Sequence, residues 1–70
     1  MKYQIQRAIK TENGIVNLGD LIYVVMKDKT TITCILEDIY WKDEYNAIMY
    51  TDKEKIDLED VSLIMNLGVV

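Results

Sequence analysis

The chain contains no histidine and no proline, a single cysteine and only three glycines. Without histidine it lacks the usual general base, the commonest metal ligand and every histidine-based triad. One cysteine and no histidine exclude an ordinary zinc site. Gly14, Gly19 and Gly68 are too scattered for a phosphate-cradling loop. No Pro means that no helix or strand loses a backbone donor. Cys34 has no partner for an internal disulfide, and a 70-residue chain that does without one fits a reducing compartment. Cys34 lies in an apolar run, where a free thiol behaves as a small buried hydrophobe.

Long apolar runs are missing too. None approaches the roughly 18 residues of a membrane-spanning helix. The start, Met1–Lys10, has no continuous apolar core of the signal-peptide kind. The expectation is one cytoplasmic domain over residues 1–70. A chain this short buries only about 60% of its unfolded surface, so its stability is expected to be marginal. Half of its residues are hydrophobic, enough to form a core.

What is present is a rhythm of short strands. Three apolar runs, Ile32–Trp41, Ala47–Thr51 and Ile56–Leu58, are separated by the charged breaks Lys42–Asn46 and Asp52–Lys55. Short polar connections between such runs mark a β-meander. In the first run Ile32, Cys34 and Leu36 share one parity, while Ile39 and Trp41 share the other. A strand has a side-chain period of two, so both sets reach one core only through a bulge or bend at Glu37–Asp38.

Earlier in the chain, Tyr3, Ile5 and Ile9 alternate with Lys2, Gln4, Gln6 and Lys10, the pattern of a half-buried strand. Asn13-Gly14 then makes a tight hairpin, with positive φ at both central residues, or opens a loop to Gly19. Leu21–Met26, six apolar residues in a row, predicts a strand covered on both faces. After Ile56 two readings stand. Asp57 caps a helix over Leu58–Leu67 with Gly68 at its end, or a single turn at Leu58–Val61 leads into a strand over Ser62–Leu67. Packing of Val61 and Ile64 favours the strand. These elements assemble into a mainly β fold: a small barrel of five or six strands with a short helical turn before the last one.

The pattern resembles the small SH3-like and Sm-like barrels. It is carried by Gly19-Asp20 leading into Leu21–Met26, then Ile32–Trp41, Ile48–Tyr50, the segment Ile56-Asp57-Leu58-Glu59-Asp60-Val61, and Ile64. Over about half the chain it is also similar to the YolD-like proteins of Gram-positive bacteria and their mobile elements, a group linked to translesion polymerases. Resemblance to Sm-like proteins implies RNA-binding rings. Here, however, Leu58-Glu59-Asp60-Val61 stands where bacterial Sm-like rings carry histidine and basic residues.

Charge is unevenly placed. Residues 1–36 carry five basic and three acidic groups; residues 37–70 carry nine acids and only Lys42, Lys53 and Lys55. The acidic half repels a phosphate backbone, which disfavours a generic nucleic-acid binder. The acidic pairs Glu37/Asp38, Asp43/Glu44 and Glu59/Asp60 lack calcium-loop spacing, so neither cofactor nor metal is expected.

Aromatic residues supply the candidate site. Tyr40, Trp41, Tyr45 and Tyr50 cluster around one hairpin, with Asp43 and Glu44 beside them. The resemblance to SH3-like barrels, where exposed aromatics beside acidic loops form peptide grooves, implies a groove here that Asp43 and Glu44 would make favourable to a basic segment; alternatively Trp41 and Tyr50 fill the barrel, with Tyr40 and Tyr45 shielding its rim. The leading expectation is a non-catalytic module that binds a protein partner or itself. A second is a nucleic-acid binder of Sm-like or KOW-like type using Lys2, Arg7, Lys10, Lys27 and Lys29. A third is an acidic inhibitor that mimics nucleic acid.

Overall fold

A computed structural model describes residues 8–69. The fold is mainly β. Seven strands run in chain order: β1 (Ala8–Thr11), β2 (Gly14–Asn17), β3 (Asp20–Met26), β4 (Thr31–Trp41), β5 (Ala47–Thr51), β6 (Lys55–Asp57) and β7 (Val61–Val69). A single 3-10 turn, Leu58–Asp60, precedes β7. Strands β1 and β2 form a hairpin; the others form an antiparallel sheet in the order β6-β5-β4-β3-β7.

The long strand β4 is shared between two leaves. Its first half, Thr31–Ile35, pairs with β3. Its second half, Leu36–Trp41, pairs with β5, and the register slips between Leu36 and Asp38. Glu37 is the extra residue, so the bulge lies where the parity change places it. Ahead of it Cys34 and Leu36 are buried; beyond it Ile39 and Trp41 pack against the same core. One inserted residue has exchanged the faces.

The core is Ile9, Val16, Ile22, Val24, Cys34, Leu36, Met49, Ile56 and Ile64. Ile9 and Val16 come from the β1–β2 hairpin, so the hairpin is part of the core. The upstream half of the strand expected from Lys2 to Lys10 lies outside the described residues. Leu21–Met26 is covered on one face only: Ile22 and Val24 are buried, while Leu21, Tyr23 and Val25 are half-buried on the outer side. On that side the rows Met65–Tyr23–Thr33 and Leu63–Val25–Thr31 run across three strands.

The C-terminal segment is a turn plus strand, and the helix reading is overturned. Asp57 does cap, but it caps only the 3-10 turn, accepting from the Glu59 N–H at 3.0 Å. Val61–Val69 then pairs along β3, and Gly68 (φ +116°) sits at a bulge rather than at a helix end. Closure into a barrel is not seen. Among the described residues β6 and β7 form the two edges of the sheet, and the 3-10 turn carries the chain between them. β6 is only three residues long and offers little edge for a further strand.

Asn13-Gly14 is not the centre of a two-residue turn. Thr11 pairs with Gly14, which places Glu12 and Asn13 in the loop. Gly14 has φ +126°, and among the described residues Lys29 (φ 74°) is the one non-glycine with positive φ. Thr11 decides the position: its Oγ1 donates to the Gly14 carbonyl at 3.0 Å and accepts from the Asn13 N–H at 3.1 Å. Such hydroxyl-capped turns compete with the tighter Asn-Gly geometry.

Candidate functional site

The leaf made by the second half of β4 with β5 and β6 carries Tyr40 and Tyr50. Its inner face presents Ile39, Trp41, Met49 and Ile56 to the core. Its outer face follows from the register: Tyr40 lies opposite Ile48, which lies opposite Asp57; Asp38 lies opposite Tyr50, which lies opposite Lys55. Tyr40 and Tyr50 are therefore diagonal neighbours, roughly 7–8 Å apart in such ladders and within reach of long side chains. Tyr40 is 60% exposed and Tyr50 41%, with half-buried Ile48 between them. An aromatic this open leaves its ring face to solvent or to a partner.

The turn beyond is built by Asp43. Its Oδ1 accepts from the Tyr45 and Asn46 backbone N–H groups, both at 2.8 Å, and its Oδ2 accepts from Asn46 Nδ2 at 3.1 Å. These donors hold the Asp43 carboxyl below its usual range. Backbone bonds from Lys42 N and Asp43 N to the Asn46 carbonyl close the loop. With Asp43 so engaged, Tyr45 is thrown outward and is 83% exposed, next to exposed Glu44.

At the far side of the strip Lys42 Nζ meets Asp57 Oδ2 at 2.9 Å. The bond to Asp57 raises the lysine's pKa, and the bond from Lys42 lowers that of Asp57. Both groups are solvated, so the pair orients the rim and adds little stability.

The structure thus brings Tyr40 and Tyr50 together on one face and sets Tyr45, Asp43 and Glu44 at its turn. Trp41 is on the opposite face, paired with Ala47 and packed against the core. A groove lined jointly by Tyr40 and Trp41 is not formed, because neighbours in a strand face opposite sides. Tyr50 does not fill the interior.

The basic residues are dispersed. Lys2 and Arg7 lie outside the described residues. Lys10 is exposed on β1; Lys27 and Lys29 are in the β3–β4 turn. Lys27 shares a cleft of about 390 Å³ with Asp28, Glu54 and Asp60, over a floor that includes Met26 and Ile32. Its backbone N–H donates to the Asp60 carbonyl at 2.8 Å, joining the β3–β4 turn to the 3-10 turn. Asp28 is held low in pKa by the Thr30 hydroxyl and backbone N–H, which donate to its Oδ1 at 2.6 and 3.0 Å. Sequence reading missed this cleft because its lining is scattered from residue 26 to residue 60.

Among the described residues no group of three acidic or cysteine side chains is placed to hold a metal, and no helix is long and apolar enough to cross a membrane. The chain matches no family model, no curated protein and no solved structure.

Proposed function

We propose that the chain is a non-catalytic interaction module of the SH3-like class, bent on itself and open between β6 and β7, that binds a basic segment of a protein partner. The observation that carries this reading is the pair Tyr40 and Tyr50, exposed on one face with Ile48 between them. Supporting it, Asp38, Glu44 and the turn of Asp43 lie around the strip and carry charge opposite to that of a lysine- or arginine-rich segment. Tyrosine gives large rigid contact area at little entropic cost. The strand order, the bent β4 and the 3-10 turn ahead of the last strand are consistent with the SH3-like class.

The test is selection of a random peptide display library on the immobilised chain, followed by NMR titration with the selected peptides. Lysine- or arginine-rich peptides are expected, with shifts centred on Tyr40, Tyr45 and Tyr50. Affinity should fall at least ten-fold in Tyr40→Ala and Tyr50→Ala. Peptides without basic residues, or shifts confined to another face, would refute the assignment. A salt-sensitive shift of a labelled single-stranded oligonucleotide would instead restore nucleic-acid binding.

A further inference from the structure

We infer that Asn13-Gly14 is a site of spontaneous modification, where the chain converts Asn13 to aspartyl and isoaspartyl products and so loosens the β1–β2 hairpin with age. The reaction needs an amide side chain able to turn toward the next backbone nitrogen, an open approach to that nitrogen, and a backbone that can take the cyclic geometry. Asn13 is exposed in the loop between β1 and β2, and its side chain has no partner among the described residues. Gly14 is exposed too, and apart from its chain neighbours no atom comes within 4 Å of where a Cβ would lie. Its φ of +126° is one that glycine adopts freely, so the pair keeps backbone latitude that a side chain at position 14 would remove.

The chemistry balances with water alone. The Gly14 nitrogen gives its proton to base in the solvent and attacks Asn13 Cγ. The Cγ–Nδ2 bond breaks, ammonia leaves, and a five-membered succinimide joins the two residues. Water then opens the ring at either carbonyl. Opening at Cγ leaves an aspartate; opening at the main-chain carbonyl leaves an isoaspartate, whose main chain runs through Cβ and Cγ. Either product adds one negative charge to the net −4.

The other three asparagines are held back by their surroundings. Asn46 donates through its N–H and Nδ2 to Asp43, and buried Ala47 follows it, paired with Trp41. Asn66 Nδ2 donates to the Ile15 carbonyl and to Asp20, while its Oδ1 accepts from the Gly68 N–H. Asn17 is exposed, but it lies in β2 opposite Ala8, its N–H donates to Asp20, and Leu18 follows it with a branched side chain.

Only the isoaspartate lengthens the chain. Its extra main-chain atom falls in a two-residue loop closed by Thr11, whose Oγ1 accepts from the Asn13 N–H and donates to the Gly14 carbonyl. The core pair Ile9 and Val16 lies two positions further along the hairpin.

The test is to hold the full chain in mildly alkaline buffer for several weeks, digest it with trypsin and map the products by mass spectrometry. Fragmentation of the Thr11–Lys27 peptide separates Asn13 from Asn17. Conversion at Asn13 should run roughly ten-fold or more ahead of the other three, with isoaspartate read out by enzymatic methylation. Asn13→Gln, whose longer amide must close a larger ring, should lose the product. Hydrogen exchange at Ile15 and Val16 should be faster in the aged chain than in Asn13→Asp, which carries the same charge on a loop of ordinary length. Conversion equal at all four asparagines, or led by Asn17, Asn46 or Asn66, overturns the inference. So does an aged chain whose exchange matches that of Asn13→Asp.

Discussion

Asp20 and Asn66, 46 residues apart, are joined by a hydrogen bond of 2.8 Å from Asn66 Nδ2 to Asp20 Oδ2. The same carboxylate oxygen accepts from the Asn17 N–H at 2.8 Å. Asn66 Nδ2 also donates to the Ile15 carbonyl at 3.1 Å, and its Oδ1 accepts from the Gly68 N–H at 2.7 Å. Two side chains therefore tie the β1–β2 hairpin to β3 and to the bulge in β7. Asp20 is the one buried charged residue among those described, at 5% exposure. A buried carboxylate is tolerated only when donors face it.

Removing one donor should be costly. Asn66→Ala leaves Asp20 with the Asn17 amide and frees the Ile15 carbonyl and the Gly68 N–H. The expected loss is about 1–3 kcal/mol, read from the urea midpoint at constant slope. Hydrogen exchange should rise first at Ile15, Val16 and Asn17, since the hairpin loses its tether. A loss below about 0.5 kcal/mol, within the range of ordinary surface substitutions, would show that the network is dispensable.

Glu37 gives a sharper contrast. Its side chain is exposed, so Glu37→Ala should change stability by no more than about 0.5 kcal/mol. Deleting residue 37 is different. It would remove the bulge and leave Leu36, Ile39 and Trp41 at every second position, so the core face is kept and only the bend of β4 is lost. The deletion should therefore still unfold cooperatively on heating, followed by circular dichroism, with a lowered midpoint. A deletion variant without a cooperative transition would mean that the fold depends on the bend of β4 itself.

That bulge was legible in the sequence because parity is a strict rule: Leu36 and Ile39 cannot share a face without an extra residue. The strands Thr31–Trp41 and Ala47–Thr51 were legible for a related reason, since charged turns bound them on both sides. Other features were not. The run Leu21–Met26 carries no charged positions to reveal which face is outside, so its pattern predicts burial on both sides although one is half-exposed. The short strand Gly14–Asn17 is held by tertiary contacts of Val16 and by Asp20, neither of which a local pattern reports. Asp57 was recognisable as a cap, but how far the turn ran was decided by pairing of β7 with β3. In the candidate site, the separation of Trp41 from Tyr40 follows from strand parity alone. The pairing of Tyr40 with Tyr50 needed the register.

Acid should destabilise the fold through three turn carboxylates. Asp28, Asp43 and Asp57 each have a lowered pKa in the folded chain, from hydrogen bonds with Thr30, with Tyr45 and Asn46, and with Lys42. A depressed folded pKa gives stability that is complete above the unfolded value, near 3.8, and is lost as pH falls through the folded value. The melting temperature should hold level from neutral pH to about pH 5 and drop below it. Asp43→Asn keeps an acceptor oxygen for the turn and removes the titration, so its acid limb should be shallower. Lys42 is raised, with the opposite sign: its contribution is fully present below the unfolded value of 10.5 and is lost as pH rises through the higher folded value. An acid limb identical in Asp43→Asn and the unaltered chain would assign the loss to other groups.

Cys34 allows the opening of the core to be timed. It is 1% exposed, in the row where Ile22 faces it across β3 and β4. Burial pushes its thiol pKa up, which outweighs the hydrogen bond with the Thr51 side chain. Only the thiolate attacks a disulfide reagent, so the native thiol is protected both by its low ionised fraction and by exclusion of the reagent. Modification by an aromatic disulfide should therefore be slow and should wait on opening of β4. Its rate should increase with urea in step with the unfolded fraction, and Asn66→Ala, which raises that fraction, should speed it. Cys34→Ser tests the site from the other side: a hydroxyl of similar size in an apolar position should cost about 1–3 kcal/mol. Rapid stoichiometric labelling of the folded chain in the absence of urea would contradict the burial of Cys34 and the closed packing of β3 against β4.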